Sequence, residues 1–302
     1  MSNPSTTLHG KRRVATVGTF DGLHRGHKRV ISTVKEIARD RGLEPMVVCF
    51  DRHPLETIAP ERAPRLIQSP SERTNVLYSE GMSLLTLEFT GQLASMTAED
   101  WMRAMHEQHR VDVLVVGYDN TFGCDGTRMS LADYRRMGAT MGVEVVEAPY
   151  EPKAASSVIR RLLREGDIAQ ANHLLGHPFT IKGRVEAGKH LGRQLGFPTA
   201  NVHTSYRAIL PLQGVYAVEV VTPDGKCRKG VANIGHQPTV GNNEPVRLEV
   251  HIPGFDGDLY GERLDVKFQK RIRDERKFDS IDDLKLQIAA DIESLFNTEQ
   301  NN

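Results

Sequence analysis

VATVGTFDGLHRGH, residues Val14–His27, decides the fold of the first half of the chain. Its first four residues, Val14 to Val17, are apolar or small, as in a buried strand. A polar turn follows, carrying Asp21, Gly22 and Gly26 with two histidines, His24 and His27. Val30, Ile31, Val34, Ile37 and Ala38 then recur at helical spacing and form one apolar face. A strand therefore ends in a glycine-rich turn that opens a helix. Such a helix start offers unbonded backbone N–H groups and the positive end of the helix dipole, which suit phosphate. Two histidines at the same place add donors. The stretch reads as a nucleotide-phosphate site, although it is neither GxxxxGK[ST] nor GxGxxG. An HxxH pair alone is more often solvated surface. Zinc would need a third ligand nearby, and none stands at suitable spacing.

Outward from this stretch, short apolar runs at Val14–Val17, Met46–Phe50, Leu84–Leu87, Val111–Val116 and Val143–Val146 alternate with helical patterns. Those patterns cover His27–Arg39, Thr97–His109 and Leu131–Met141, with Thr97 and Asp100 spaced as a capping box. The alternation predicts a doubly wound, Rossmann-like α/β domain with a parallel sheet. In such sheets ligands bind at the carboxyl ends of strands. The polar turns after Val17, after Val48 (CFDRHP) and after Val115 (VGYDNTFG) all lie there. Between Asp51 and Ser71, Pro54, Pro60, Pro64 and Pro70 exclude a long helix, leaving a lid or an anchored connection. Ser156 and Ser157 precede a helical run, where hydroxyls cap the helix or bind an anion. Arg160, read as lying on the first turn, would add a charged fork for phosphate. Asp167 is expected to cap a second short helix ending at Gly176.

From Phe179 the texture changes. Strand-like stretches at Phe179–Val185, Thr199–Val202, Val215–Val221, Lys229–Ile234, Val246–Ile252 and Leu264–Phe268 follow at short spacing. They predict a compact antiparallel β-barrel. Ile281, Leu284, Leu286, Ile288, Ile292, Leu295 and Phe296 predict a closing amphipathic helix. The boundary is expected at Gly176–Pro178, giving domains 1–177 and 178–302.

The 302 residues carry 39 Lys+Arg and 39 Asp+Glu, so no global field favours nucleic acid or an anionic membrane. Cys49, Cys124 and Cys227 are far apart without a CxxC, which excludes a disulfide framework and a thiolate zinc site. No apolar run approaches the roughly 18 residues of a membrane span. The first residues hold no apolar signal core, so a soluble cytoplasmic protein is expected. Oligomeric state is not legible.

Two sets of motifs carry a family resemblance. GTFDGLHRGH (Gly18–His27) resembles the GxFDGxHxGH signature of nucleotidylyltransferases. GRVEAGKHLGRQLGFPTANV (Gly183–Val202), LPLQGVYAV (Leu210–Val218), GVANIGHQPT (Gly230–Thr239) and RLEVHI (Arg247–Ile252) look like consecutive signatures of the riboflavin kinase module. DLYGERLDVKF and RDERKFDS continue the match, which spans Val14 to Phe296. The order is that of the bacterial bifunctional riboflavin kinase/FMN adenylyltransferase family, also called FAD synthetase. Departures fall in the first half. Thr19 stands where Asn is frequent, Asn120 replaces an aromatic of GxDFxFG, and Ser157 takes the Thr position of SSTxIR.

The resemblance implies that the first domain moves AMP from ATP to the phosphate of FMN and releases pyrophosphate. It implies ATP contacts from Gly18, Thr19, Phe20, Asp21, Gly26, Ser156, Ser157 and Arg160, with His24 and His27 as catalytic donors. In the second domain it implies transfer of the ATP γ-phosphate to the terminal hydroxyl of riboflavin. Glu249 is then the base, Gly183 and Gly188 approach the nucleotide, and Thr199 and Asn201 hold Mg²⁺. Strand alternation puts Glu249 and His251 on one face, and Thr199 and Asn201 on one face. Flavin contacts are implied for Asp119, Asn120 and Arg273. The implied small molecules are riboflavin, FMN, FAD and ATP. Two other readings stand beside this one. One is a riboflavin kinase whose N-terminal half is weakened or repurposed, motivated by Asn120 and Val158. The other is a flavin-binding regulator, which needs an output surface such as a basic recognition helix, and none is visible.

Overall fold

The computed structural model describes residues 11–118, 121–186, 196–235 and 246–295. It divides into two compact units. The first ends at Lys153 and omits Arg65–Gln68; the second comprises Arg65–Gln68 and the chain from Ala154 onward.

In the first unit five parallel strands, β1 (Arg13–Val17), β2 (Glu44–Phe50), β3 (Ser83–Leu87), β4 (Val111–Val116) and β5 (Glu144–Glu147), lie in the order β3-β2-β1-β4-β5. Six helices accompany them: α1 (Arg25–Arg41), α2 (Pro54–Ile58), α3 (Pro70–Ser79), α4 (Gly91–Ser95), α5 (Ala98–His109) and α6 (Leu131–Met141). Successive strand residues serve opposite layers. Val14, Val47, Cys49, Val113 and Val115 pack with Ile31, Val34 and Ala38 of α1 and Leu77 of α3. Ala15, Val17, Met46, Val48, Leu114 and Val116 pack with Trp101, Met102 and Met105 of α5 and Tyr134 of α6. Covering both faces is what lets the strands be apolar throughout. The chain reverses direction across the sheet between β1 and β4, so the crevice expected to take a ligand opens beside the end of β1. Thr97 caps α5 by accepting the Asp100 N–H at 3.1 Å. Asp100 returns its carboxylate to the Thr97 hydroxyl at 2.7 Å.

Three of the four prolines after β2 act as helix starters. Pro54 and Pro70 open α2 and α3, and Pro60 opens a single 3₁₀ turn. Between the last two, the connection is anchored within the second unit. The Leu66 N–H donates to Arg207 O and the Ile209 N–H donates to Leu66 O, both at 2.8 Å.

The second unit holds α7 (Ser156–Glu165), α8 (Ile168–Leu175) and a closed barrel. Its strands are β6 (Phe179–Glu186), β7 (Thr199–His203), β8 (Gly214–Val221), β9 (Cys227–Gly235), β10 (Arg247–His251) and β11 (Arg263–Arg273), followed by α9 (Ile281–Glu293). The order is β10-β7-β6-β11-β8-β9, antiparallel throughout. Asp167 caps α8 by accepting the Gln170 N–H, and Gly176 ends it in the left-handed conformation.

The compact units divide at Lys153/Ala154, so α7 and α8 fall with the barrel, ahead of the change of texture at 177/178. The cause is the apolar stripe of α7 and α8. Ile159, Leu162, Leu163, Ile168, Ala171 and Leu175 join Phe179, Ile181, Tyr216 and Phe268 in one core. Asn172 stitches this layer together, donating from Nδ2 to Phe268 O at 2.9 Å and accepting the Phe179 N–H on Oδ1 at 2.7 Å.

Candidate active sites

The turn after β1 is held in an unusual backbone. Phe20, Gly22 and Leu23 have φ of 50°, 82° and 41°. A left-handed conformation costs a side-chain-bearing residue roughly 1–2 kcal/mol. Phe20 and Leu23 are buried in the layer shared with α1 and α3. Burying each such side chain returns about 1.5–3 kcal/mol. The strain is therefore sustained by the core beneath the turn.

His24 is the N-cap of α1 and is 5 % exposed. Its Nδ1 accepts the backbone N–H of His27 at 3.3 Å. An accepting Nδ1 leaves the proton of a neutral ring on Nε2, which is then a donor. The His27 ring stacks on His24 at 3.6 Å and 19°, and lies 5.0 Å from the Phe20 ring. The structure thus gathers Phe20, His24 and His27 at the first turn of α1, with Gly26 at its second helical position and Asp21 buried at the turn. First-turn N–H groups have no acceptor within their own helix. The turn thus brings imidazole groups and a helix N-terminus to one place, an arrangement that suits an anion. Gly18 joins it to the sheet by donating its N–H to Val48 O at 3.1 Å.

One residue of this neighbourhood escaped sequence reading. Arg73 of α3 is buried and donates from Nη1 to Thr19 O at 2.8 Å and from Nη2 to Phe50 O at 2.7 Å. The polar turn after β2 is occupied with local structure. Asp51 accepts the Phe89 N–H at 2.9 Å, and His53 and Glu56 form the capping box of α2. Asp119 and Asn120 lie outside the described residues.

In the second unit the N-cap of α7 is Ala155, which makes no side-chain cap. Ser156 and Ser157 are the first two helical residues, so neither serves as the cap. Arg160 stands in the second turn, correcting the first-turn placement. It is buried, and its Nε donates to Arg65 O at 2.9 Å.

The barrel presents the expected alternation. Leu248 and Val250 enter the core, while Glu249 takes the other face and is half-buried. Cross-strand register puts Glu249 directly opposite Asn201 on β7 and Asn233 on β9. Directly opposed residues have Cβ atoms about 4.5–5.5 Å apart, so the three polar side chains form one cluster. Thr199 stands opposite His251. His251 is buried, its Nδ1 lies 2.8 Å from Pro198 O, and its ring meets the edge of Phe197 at 5.6 Å. The histidine thereby fixes the turn leading into Thr199. The Oδ1 of Asn201 is buried and has no hydrogen-bond partner.

Gly183 and Arg273 both have structural partners within the second unit. A Cβ at Gly183 would stand 2.4 Å from His203 O and 2.6 Å from Val202 Cγ1, so its close approach is to β7. Gly188 lies outside the described residues. Arg273 is engaged by α9. Its Nε and Nη2 grip the Asp291 carboxylate at 2.8–3.1 Å, and its Nη1 donates to Asp274 O at 3.0 Å. Asp291 is 3 % exposed and otherwise accepts from Gln287 at 2.8 Å. Stranding a buried carboxylate is costly, so Arg273→Ala is expected to destabilise the second unit by about 3 kcal/mol. Thermal unfolding checks this, and an unchanged melting temperature would leave the guanidinium to a ligand role.

Comparison with known proteins matches residues 7–159 to the FAD synthetase family model and residues 175–298 to the riboflavin kinase model. The bifunctional riboflavin kinase/FMN adenylyltransferase of Escherichia coli K12 is 39 % identical over 284 residues, 92 % of this chain and 90 % of that protein. The chain belongs to the bifunctional riboflavin kinase/FMN adenylyltransferase family. Relatives of the same name from Pseudomonas fluorescens and Bacillus subtilis are 40 % and 36 % identical, covering 92 % and 93 % of this chain and 90 % of each relative. A solved structure titled a macrolide-efflux protein from Streptococcus pneumoniae is 33 % identical with a TM-score of 0.84, covering 95 % of this chain and 94 % of that one. Among the described residues no helix is long and apolar enough to cross a membrane. The chain is a bifunctional enzyme of flavin-cofactor synthesis, with riboflavin, FMN and ATP as substrates. The reading with a weakened or repurposed first half is not favoured, because both activities stand in the names of its relatives.

Proposed function

We propose that riboflavin is phosphorylated on the Glu249 face of the barrel and that FMN is adenylylated at the cradle after β1. The observation that carries the first assignment is the register that sets Glu249 between Asn201 and Asn233. The terminal hydroxyl of riboflavin is a neutral nucleophile and needs a base as it attacks the γ-phosphate of ATP. Glu249 takes that proton, the bond to the β-phosphate oxygen breaks, and ADP leaves. At the cradle the nucleophile is a phosphate oxygen of FMN, already anionic because its second pKa is about 6. It attacks the α-phosphate of a second ATP and pyrophosphate leaves. No base is required, so alignment and charge stabilisation carry the step. His24, His27 and the first-turn N–H groups supply donors for the triphosphate.

The residues present fit a magnesium ion that arrives with ATP. The orphaned, buried Oδ1 of Asn201 is a hard neutral oxygen, and Thr199 lies two residues away on the same strand face. Among the described residues no cluster of three carboxylate, histidine or cysteine ligands exists, which agrees with an ion that takes most ligands from phosphate and water. Thr199 and Asn201 would hold it, and the ion would offset charge on the transferring phosphate. Asn201→Ala is expected to raise the Mg²⁺ concentration needed for half-maximal FMN formation by at least about tenfold, the scale on which even outer-shell partners act. A magnesium titration at fixed ATP checks it, and an unmoved midpoint would remove Asn201 from the site. The three free cysteines support a reducing, cytoplasmic setting.

Incubation with riboflavin and Mg·ATP, resolved by chromatography, is expected to yield FMN and then FAD. FMN without FAD would revive the weakened-half reading. Bound riboflavin without product would favour a sensor.

A further inference from the structure

Arg73 is 8 % exposed, and its guanidinium spans the ends of two neighbouring strands. Nη1 holds the carbonyl of Thr19 after β1, and Nη2 holds the carbonyl of Phe50 at the end of β2. Its Nε is buried with no hydrogen-bond partner. Among the described residues no carboxylate pairs with Arg73; both of its hydrogen bonds go to neutral carbonyls. A buried cation ordinarily has an anionic partner, because carbonyl dipoles alone repay only part of its lost hydration. The same residue bonds the turn that holds Phe20, Gly22 and Leu23 at positive φ. A clamp with purely structural duties would gain by an ion pair. The missing anion points to one that comes and goes.

We propose that Arg73 is a positioning residue for adenylyl transfer, clamping the strained turn through Thr19 and lending its unmatched buried charge to the triphosphate of ATP. The inference rests on placing FMN adenylylation at this turn. The clamp keeps the turn and the start of α1 in register before nucleotide arrives. The charge adds a long-range attraction in a poorly screened interior. The two duties separate kinetically. Loss of the fork misaligns the turn and lowers kcat, and loss of the charge weakens ATP and raises KM.

The test uses the full chain with Arg73→Lys and Arg73→Gln, both of which lose the fork while only the lysine keeps the charge. FAD formation from supplied FMN and ATP is measured beside FMN formation from riboflavin. Both variants are expected to lose about a hundredfold in kcat for FAD formation, the cost of a misplacement near 1 Å. Only Arg73→Gln is expected to raise the KM for ATP, by about tenfold, because it alone takes a positive charge away from the neighbourhood of an anionic ligand. FMN formation should stay unchanged in both. Equal KM values in the two variants, wild-type kcat in either, or a parallel fall in FMN formation by Arg73→Lys would overturn the proposal. Should Arg73→Gln fail to fold, Arg73→Lys decides alone, with low kcat at wild-type KM supporting the proposal and a raised KM refuting it. Failure of the underlying site assignment looks different. There, His27→Ala would leave FAD formation intact.

Discussion

Glu249→Ala is expected to abolish FMN formation from riboflavin while leaving FAD formation from supplied FMN at its wild-type rate. A ribityl hydroxyl keeps its proton at neutral pH, and its attack on phosphate is unproductive until a base takes that proton. General-base contributions are roughly 10²–10⁴-fold, so a loss of about a thousandfold in kcat is expected. The position is well chosen for a carboxylate. Glu249 is half-buried on β10, opposite Asn201 and Asn233, so an asparagine flanks it on each side. Glu249→Gln separates chemistry from shape. It preserves volume and polarity beside Asn201 and Asn233 but takes no proton, so it should be nearly as inactive as alanine. Wild-type FMN formation by the glutamine variant would show that Glu249 organises the face without acting as base. Loss of both products together would show that the barrel face is not confined to one reaction. Because Leu248 and Val250 carry the packing on the inner side, the substitution should leave thermal stability close to wild type.

The chain shows plainly which signals survive translation into sequence. Val14–Val17 and Val111–Val116 are legible because a strand covered on both faces must be apolar along its length. Glu249 and His251 are legible as one face because period-two alternation persists through β10. Alternation fails in β11, where register shifts fall between Phe268 and Lys270 and between Arg271 and Arg273. That strand runs five residues beyond the expected Phe268, and the bulges explain why. The same failure hid the role of Arg273, whose partner Asp291 lies 18 residues away on a helix. Arg73 was invisible for a related reason. It stands in a helix with little apolar periodicity, and its partners are backbone carbonyls of two other strand ends, which leave no trace in residue identity. Gly183 has a structural reason of its own that the sequence does not display. Close backbone approach was expected there, and it occurs, but against His203 of β7. Packing of α7 and α8 on the barrel was likewise not readable, since an apolar helix stripe states that a partner exists and not which one.

For the first unit the largest expected effect is that of His27→Ala, which should cut FAD formation from FMN about a hundredfold and leave FMN formation from riboflavin unchanged. A single donor aimed at developing phosphate charge is worth roughly 10²–10³ in kcat. The variant is also structurally clean. The contact by which His27 caps α1 runs from its backbone N–H to His24 Nδ1, so an alanine retains it. What disappears is the imidazole, with its stacking on His24 at 3.6 Å and its approach to Phe20 at 5.0 Å. His24→Ala makes the instructive contrast. It removes both a ring donor and the N-cap acceptor, so it should lose activity and in addition about 1 kcal/mol of stability. The pair therefore predicts two activity losses of similar size but only one shift in melting temperature. An unaltered rate of FAD formation in His27→Ala would mean that the imidazole faces something other than the triphosphate. Adenylyl transfer would then belong elsewhere, and the turn would keep only the general anion affinity of a helix N-terminus. What distinguishes this turn from a generic one is that its strain is fixed from both sides, by Phe20 and Leu23 in the core beneath and by Arg73 across the strand ends. A turn so constrained holds its donors in place before substrate binds, which is the condition under which electrostatic stabilisation costs no reorganisation during the reaction.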